Sequence, residues 1–395
     1  EGPRISSREA SVGKPVLGGR DQVRVAVAQV SPVFMDKEAS LRRAEETVAE
    51  AARGGADLVA FPEAWLAGYP YWTEGWDSPL PQWVAARIRW RDNAVVVGTD
   101  DTERLAEAAR RHGVHVVMGC NELDDRRAVS TVYNTLLFFD RDGRLLGRHR
   151  KLMPTHGERQ FWGQGGIEDV QVFETDVGRV GGLICGEHMM PLVHAAMIEL
   201  GEELHVAAFP GSFALHTGPR LEELDTAGDF WGIASTRNHA FEAGAFVLRA
   251  CAVVEPADIS ADFPFAGTMN IDYARGGSGV VSPLGVPLVD TAFDSQIVYA
   301  DCPAWMIKAI KAMIDTVGHY SRPDLLALAV RGPSGWVAAR EPAELPAGFG
   351  DRPLRAADAR QVDPAQVAAV AVGRGLLPAA LDVEERAAAL PPRPQ

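Results

Sequence analysis

Short blocks of alternating or periodic apolar residues run along the first third of the chain, and the period of each block predicts its element. VRVAVAQV at 23–30 is rich in β-branched residues and predicts a strand. In the following KEASLRRAEETVAEAARGG, Leu41, Ala44, Val48 and Ala52 fall on one helical face, and Gly54 and Gly55 stand where the helix should stop. DLVAFPE then predicts a short buried strand ending on an acidic residue. The helix TERLAEAARRHG and the strand VHVVMGC repeat the pattern. Helix, glycine and apolar strand in succession predict strands covered on one face by helices.

The middle of the chain turns antiparallel. TVYNTLLFFDRDGRLLGRHRK predicts a hairpin about Asp142-Gly143, and GSGVVSPLGVPLVD a second about Pro283, Leu284 and Gly285. Between them GRVGGLIC, LHVAAFPG and AFVLRACAVV predict further apolar strands. Two mixed sheets packed face to face under outer helices, an α-β-β-α sandwich of the α/β class, would accommodate all of these segments. No internal repeat is visible.

Texture changes at the ends. Residues 1–20 form a polar segment expected to fray, and residues 21–330 hold the patterned domain. From 331 to 395 the chain is rich in Pro, Ala, Gly and Arg, which disfavours a continuous sheet or long helix. Helical stretches are expected near VDPAQVAAVAV and EERAAAL; a disordered tail and an assembly role are both open for this extension.

Composition narrows the function. The 395 residues are 47% hydrophobic and 23% charged, enough for a large core. With 39 Lys+Arg against 53 Asp+Glu the net charge is -14, which repels phosphate backbones and anionic membranes, so neither nucleic acid nor membrane is an expected partner. The start lacks the apolar middle of a secretory signal, and no apolar run reaches the roughly 18 to 20 residues of a membrane span. A cytoplasmic location is expected. Cys120, Cys185, Cys251 and Cys302 form no CxxC pair, which argues against a zinc cage or a disulfide framework. His156, His188, His194, His205 and His216 lack a HExxH spacing, which disfavours a metallohydrolase.

Four residues carry candidate chemistry. Cys185 ends the strand VGGLIC and precedes GEHMMPLVHAAMIELG, which starts like a helix; a nucleophile at such a turn lies near free backbone N–H groups. Glu63 ends LVAFP beside the aromatic stretch AWLAGYPYW, and an apolar wall should raise its pKa toward that of a general base. Lys151 closes the strand GRHRK, and Glu158 could pair with Lys151 or Arg159. Taken singly, each has an ordinary structural reading: a buried small thiol, a loop charge, a surface cation, a surface ion pair.

Together, FPEAWLAGYP, RKLMPTHGERQFWGQG and GGLICGEHMMPL resemble the Glu, Lys and Cys motifs of the nitrilase superfamily, in the family's order. The resemblance runs from about residue 23 to 324, and DTVGHYSRPDL at 315–325 is closer to the nitrilase branch than to the amidase or carbamoylase branches. It implies the four-layer sandwich, Cys185 as nucleophile, Glu63 as base, Lys151 and the Gly186 N–H as stabilisers of the developing charge, and Glu158 as the holder of Lys151. It places Tyr69, Thr155, Trp162, Phe209 and Pro210 near the thiol.

The implied reaction takes a small-molecule nitrile to a carboxylic acid and ammonia through a thioimidate and a thioester, and no metal or organic cofactor has a task in it. An amidase or carbamoyl hydrolase, or a hydratase that releases the amide, is the alternative. Nitrilases commonly carry Trp after the cysteine where this chain has Gly186, which bears on the acyl pocket. Glu187 and His188 follow in the same string, with positioning and purely structural roles equally open. The resemblance also implies a homodimer or a larger, spiral homo-oligomer.

Overall fold

Two six-stranded sheets frame the first part of the protein. The computed structural model describes residues 15–72, 79–124, 130–212, 231–323, 325–326, 328–332 and 335–338. The chain divides into two compact units, Glu1–Ser321 and Arg322–Gln395.

In the first unit, β1 (Gln22–Gln29), β2 (Leu58–Ala60), β3 (His115–Leu123), β4 (Val132–Phe139) and β5 (Leu145–Arg150) lie in that order, with β12 (Gln296–Pro303) outside β1. Strands β1, β2 and β3 run parallel, with Val25 opposite Leu58 and Leu58 opposite His115. The outer pairs are antiparallel. The crossovers carry helices α1 (Lys37–Arg53), α2 (Leu80–Asp92) and α3 (Asp100–His112). The Asp36 side chain caps α1 by accepting from the Ala39 N–H at 2.9 Å.

The second sheet contains β6 (Phe173–Thr175), β7 (Gly178–Ile184), β8 (Leu204–Phe209), β9 (Phe246–Cys251), β10 (Gly276–Val281) and β11 (Pro287–Phe293) side by side in chain order. Its β7, β8 and β9 are parallel and its outer pairs antiparallel. Helix α4 (Pro191–Leu200) links β7 to β8, α5 (Trp231–Ala243) precedes β9, and α6 (Ala304–Met313) follows β12. Both sheets share one pairing scheme: three parallel strands, one antiparallel neighbour on one side and two on the other. This structural repeat leaves no sequence repeat, because only the polarity pattern is common to the halves.

Period-two alternation decides what each face buries. Val25, Val27, Leu58 and Phe138 pack between the sheets with Val206 and Leu248 of the second sheet. Ala26, Ala28, Val59 and Val116 point the other way, under Leu41 and Val48 of α1 and Leu105 of α3. The turn between β4 and β5 uses Gly143 at φ 80°, a left-handed conformation that a Cβ disfavours.

Some details differ from the sequence reading. Ala51, not Ala52, completes the buried face of α1. Helix α2 went unpredicted because it buries only Ala86 and Trp90 and has no apolar stripe. Within the segment expected to fray, Leu17 is buried and Arg20 pairs with Asp57 at 2.8 Å and Asp176 at 2.6 Å. In the second unit, β13 (Ala329–Gly332) and β14 (Gly335–Ala338) form an antiparallel hairpin across the boundary set at residue 330. The helical stretches expected near VDPAQVAAVAV and EERAAAL lie outside the described residues, as does His216. No helix among the described residues is long and apolar enough to cross a membrane.

Candidate active site

Strand ends from both sheets bring the four candidate residues together. Glu63 stands three residues past the end of β2, Lys151 directly follows β5, and Glu158 lies in a 3-10 turn, His156–Gln160. Cys185 directly follows β7 and opens a second 3-10 turn, Cys185–Met189. Helix α4 follows it from Pro191, with that proline in its first turn as the sequence predicts. A carboxylate oxygen of Glu63, one of Glu158 and the Cys185 Sγ all lie within 4.8 Å of one another. All four side chains are buried.

Local backbone features aim these groups. Cys185 has φ 53°, a left-handed conformation costing of order 1–3 kcal/mol in a residue with a Cβ, which the surrounding turn must enforce. Gly119 of β3 lets the loop bearing Glu63 lie flat on the sheet: a Cβ there would sit 1.8 Å from the Pro62 carbonyl oxygen. Thr155 stands just before the turn carrying Glu158: its carbonyl accepts from the Glu158 N–H at 2.9 Å, and its own N–H reaches Glu158 Oε2 at 2.7 Å.

Lys151 Nζ donates to Glu63 Oε1 and to Glu158 Oε2, both at 2.8 Å. Arg159 bonds the Pro154 carbonyl instead, which settles the partner of Glu158 as Lys151. Burial works against the lysine charge, but Glu158 and Glu63 outweigh it and hold the ammonium well above the ordinary lysine value. Burial raises the Glu63 carboxyl to about 7, against the pull of Lys151, and Glu158 adds to the rise. Burial and the Glu63 carboxylate also hold the Cys185 thiol well above its usual range, with Lys151 and the Gly186 N–H pulling the other way. At rest Cys185 is thus held as a thiol beside the Glu63 carboxyl, and not as a preformed thiolate.

Burial does not single out Cys185. Cys120, Cys251 and Cys302 are equally buried, and desolvation raises each thiol. What distinguishes Cys185 is its company: one ammonium and two carboxylates.

Of the expected pocket residues, Tyr69 and Thr155 bond Glu158 directly, and Trp162, Phe209 and Pro210 connect to the cluster through neighbouring side chains. Tyr69 donates to Glu158 Oε1 at 2.9 Å, and its ring lies 5.4 Å from that of Trp162. Trp162 Nε1 donates to Asn121 Oδ1 at 2.9 Å. Phe209 stacks on His188 at 5.3 Å, and the Pro210 carbonyl accepts from the Tyr71 hydroxyl at 2.8 Å. A Cβ at Gly186 would stand 2.8 Å from Thr155 Oγ1, so the threonine already fills part of the space that a larger residue would claim.

Sequence reasoning missed Asn134. Its Nδ2 donates to Glu63 Oε1 at 2.6 Å, so Lys151 and Asn134 both engage that oxygen, while Glu63 Oε2 is buried without a hydrogen-bond partner among the described residues. The signal was an amide inside the apolar run VYNTLLFF; a polar residue wholly buried in a strand needs a partner. Tyr71, beside Tyr69 with ring centroids 5.0 Å apart, was missed as well.

Among the described residues, two groups have metal-like spacing. In the first, Glu63, Glu158 and Cys185, the cation is already Lys151. In the second, Glu202, His205 and His239, one carboxylate oxygen accepts from His205 Nδ1 at 2.7 Å and the other from His239 Nε2. His188 joins them through His205 Nε2 at 3.0 Å and bonds the Cys185 carbonyl at 3.0 Å. That geometry is a hydrogen-bond chain leading to the turn that opens at Cys185.

The chain is similar to known proteins over most of its length. The pattern of the family "Carbon-nitrogen hydrolase" matches residues 24–312. "Nitrilase 2" of an unknown prokaryotic organism is 35% identical over 316 residues, covering 78% of this chain and 92% of that protein. An "Aliphatic nitrilase" of Rhodococcus rhodochrous is 35% identical over 321 residues, covering 80% of this chain and 81% of its own. The crystal structure of Saccharomyces cerevisiae Nit3, a member of branch 10 of the nitrilase superfamily, superposes with a TM-score of 0.58 at 20% identity, covering 76% of this chain and 97% of that one. That last match shows the α-β-β-α fold, and with the sequence matches it establishes that the chain belongs to the carbon-nitrogen hydrolase family.

Proposed function

We propose that the protein hydrolyses an organic nitrile to its carboxylic acid and ammonia, with Cys185 as the nucleophile. The observation that carries this reading is the buried Glu63 Oε2, free to take a proton within a cluster that also holds the Cys185 thiol and the Lys151 ammonium. The nitrilase names of the relatives support the choice of substrate class.

In this scheme the Cys185 proton passes to Glu63 as sulfur bonds the nitrile carbon. One C–N bonding pair moves onto nitrogen, beside Lys151 and the Gly186 N–H, and Glu63 returns its proton there, giving a thioimidate and an ionised Glu63. Water then adds to the C=N carbon as Glu63 takes its proton, Glu63 passes that proton to the amine nitrogen of the tetrahedral intermediate, and the remaining C–N bond breaks, so that ammonia departs and a thioester is left. A second water, deprotonated by Glu63, releases the acid and restores the thiol. Glu158 holds Lys151 and is held by Tyr69, so the ammonium stays charged and fixed throughout.

The substrate class is tested by incubating the protein with matched nitriles and amides, aliphatic, arylaliphatic and aromatic, and measuring ammonia, acid and amide. Acid and ammonia from nitriles in equal amounts are expected. Turnover of amides alone would refute the nitrile reading and return the amidase alternative.

Because Glu63 must be ionised to accept the proton, kcat/KM should fall about tenfold per pH unit below about 7. The Asn134 bond favours the ionised form. In Asn134→Leu that acid limb should therefore move to higher pH, with turnover at pH 7 reduced several-fold. A pH–rate profile with the acid limb unmoved would remove Asn134 from the machinery.

A further inference from the structure

The Glu187 side chain is completely buried and serves both sheets at once. Its Oε1 accepts from the Leu152 N–H at 2.8 Å, one residue beyond Lys151. Its Oε2 accepts from the Ile184 N–H at 2.7 Å, one residue before Cys185. The same Oε2 receives His149 Nε2 at 2.7 Å.

The partner's protonation follows from geometry. His149 Nδ1 lies 2.9 Å from the Asp169 carbonyl oxygen, and Nε2 faces the Glu187 carboxylate. Both neighbours only accept, so both ring nitrogens carry protons and the ring is an imidazolium. Burial opposes that charge, but Glu187 and the Asp169 carbonyl outweigh it and raise His149 above the ordinary histidine value. The same pairing holds Glu187 below the usual carboxylate range although burial pushes it up.

We infer that Glu187, charged and anchored by His149, is a positioning residue that sets the separation of Cys185 from Lys151. One rigid carboxylate fixes a backbone N–H next to each reacting side chain, and those side chains belong to different sheets. A glutamine cannot replace it, because an amide offers one acceptor oxygen and would turn its NH2 toward a second donor. Neither Glu187 nor His149 needs to touch substrate for this role. The inference deepens the proposed reaction and rests on it, since the separation matters because sulfur attack and nitrogen stabilisation occur together.

The test compares Glu187→Gln with the double variant His149→Gln/Glu187→Gln, following kcat and KM on a nitrile together with thermal unfolding. In Glu187→Gln, kcat should drop about 100-fold with KM within about threefold, the scale of an ångström-level misplacement. The double variant removes both charges, so its Tm should recover toward the wild-type value. Its kcat should stay low, because the second acceptor oxygen is still missing. A double variant that regains kcat to within about threefold along with Tm would overturn the inference, since Glu187 would then only neutralise His149. Where neither amide variant folds, Glu187→Asp decides: about tenfold lower kcat is expected from the shortened arm, and an unchanged kcat overturns it.

Alkylation of Cys185 by iodoacetamide at pH 7, read by mass spectrometry, separates this inference from the nitrile reading. It needs no nitrile turnover and should slow about tenfold in the amide variants as Lys151 draws away from the thiol. Wild-type protein that turns over no nitrile, with the alkylation difference intact, defeats the functional reading alone. Equal alkylation rates in folded variants defeat the positioning role.

Discussion

Cys185→Ala is expected to lose nitrile turnover by a factor on the order of 10⁴ or more while keeping the fold, because removing a nucleophile leaves only substrate binding and charge stabilisation to act. The substitution deletes one buried sulfur and keeps the Cβ, so the strained φ of 53° is unchanged. Ile184 and the Cys185 carbonyl keep their bonds to Glu187 and His188. Thermal unfolding should therefore move little, by about 1 kcal/mol or less in stability, at the low end of single core changes. Cys120, Cys251 and Cys302 provide the control. Each is equally buried, but none has a lysine and two carboxylates around it, so alanine at any of them should leave kcat within about twofold, the effect of a site that only packs. Turnover retained by the Cys185 variant would remove the nucleophile from the mechanism.

Lys151→Met should damage both folding and activity. It leaves the Glu63 and Glu158 carboxylates buried without the ammonium that each meets at 2.8 Å. Breaking a buried pair from one side costs about 3–5 kcal/mol. The loss should depend on pH with a definite sign. Glu63 already sits at about 7 against the 4.5 of an ordinary glutamate, with Lys151 pulling it down. Without the lysine it holds its proton to still higher pH. A carboxyl raised on folding binds more protons in the folded chain than in the unfolded one, so its penalty is absent below about 4.5 and grows as pH rises. The variant should be closest to wild type in acid and fall furthest behind above pH 7. Turnover should drop by at least about 10²–10³, the scale of losing one aimed donor at a developing charge. Lys151→Arg should not rescue it, because the planar guanidinium does not fit between two carboxylates set for a compact ammonium. Equal stability deficits at pH 5 and pH 8 would contradict the electrostatic account of the site.

The residues that end apolar strands were legible in the sequence. Glu63, Lys151 and Cys185 each close or follow a strand, which taken singly left an ordinary structural reading open to each; the joint resemblance of their three motifs to one family is what singled them out. Glu158 was legible as a partner for Lys151, though sequence alone left Arg159 open. The α-β-β-α order was legible from alternating helical and strand periods. Less visible were residues whose roles depend on what lies opposite them in space. Asn134 looks like one polar interruption in β4 until the fold sets it against Glu63, 71 positions away. Glu187 and His149 are separated by 38 positions and two sheets. His239 comes from α5 to meet Glu202 and His205, and no short motif announces that meeting. Helix α2 and the burial of Leu17 were hidden for a different reason: each is held by a few long-range contacts and not by a periodic face.

In the proposed reaction a thioester on Cys185 stands between nitrile and acid, and partitioning with hydroxylamine during turnover exposes it. A thioester passes its acyl group to water or to hydroxylamine. Hydroxamic acid should appear at the expense of carboxylic acid, in a ratio that rises with hydroxylamine concentration while ammonia release holds steady, and Cys185→Ala should give neither product. Undiminished acid from the nitrile with no hydroxamic acid at any hydroxylamine concentration would contradict it.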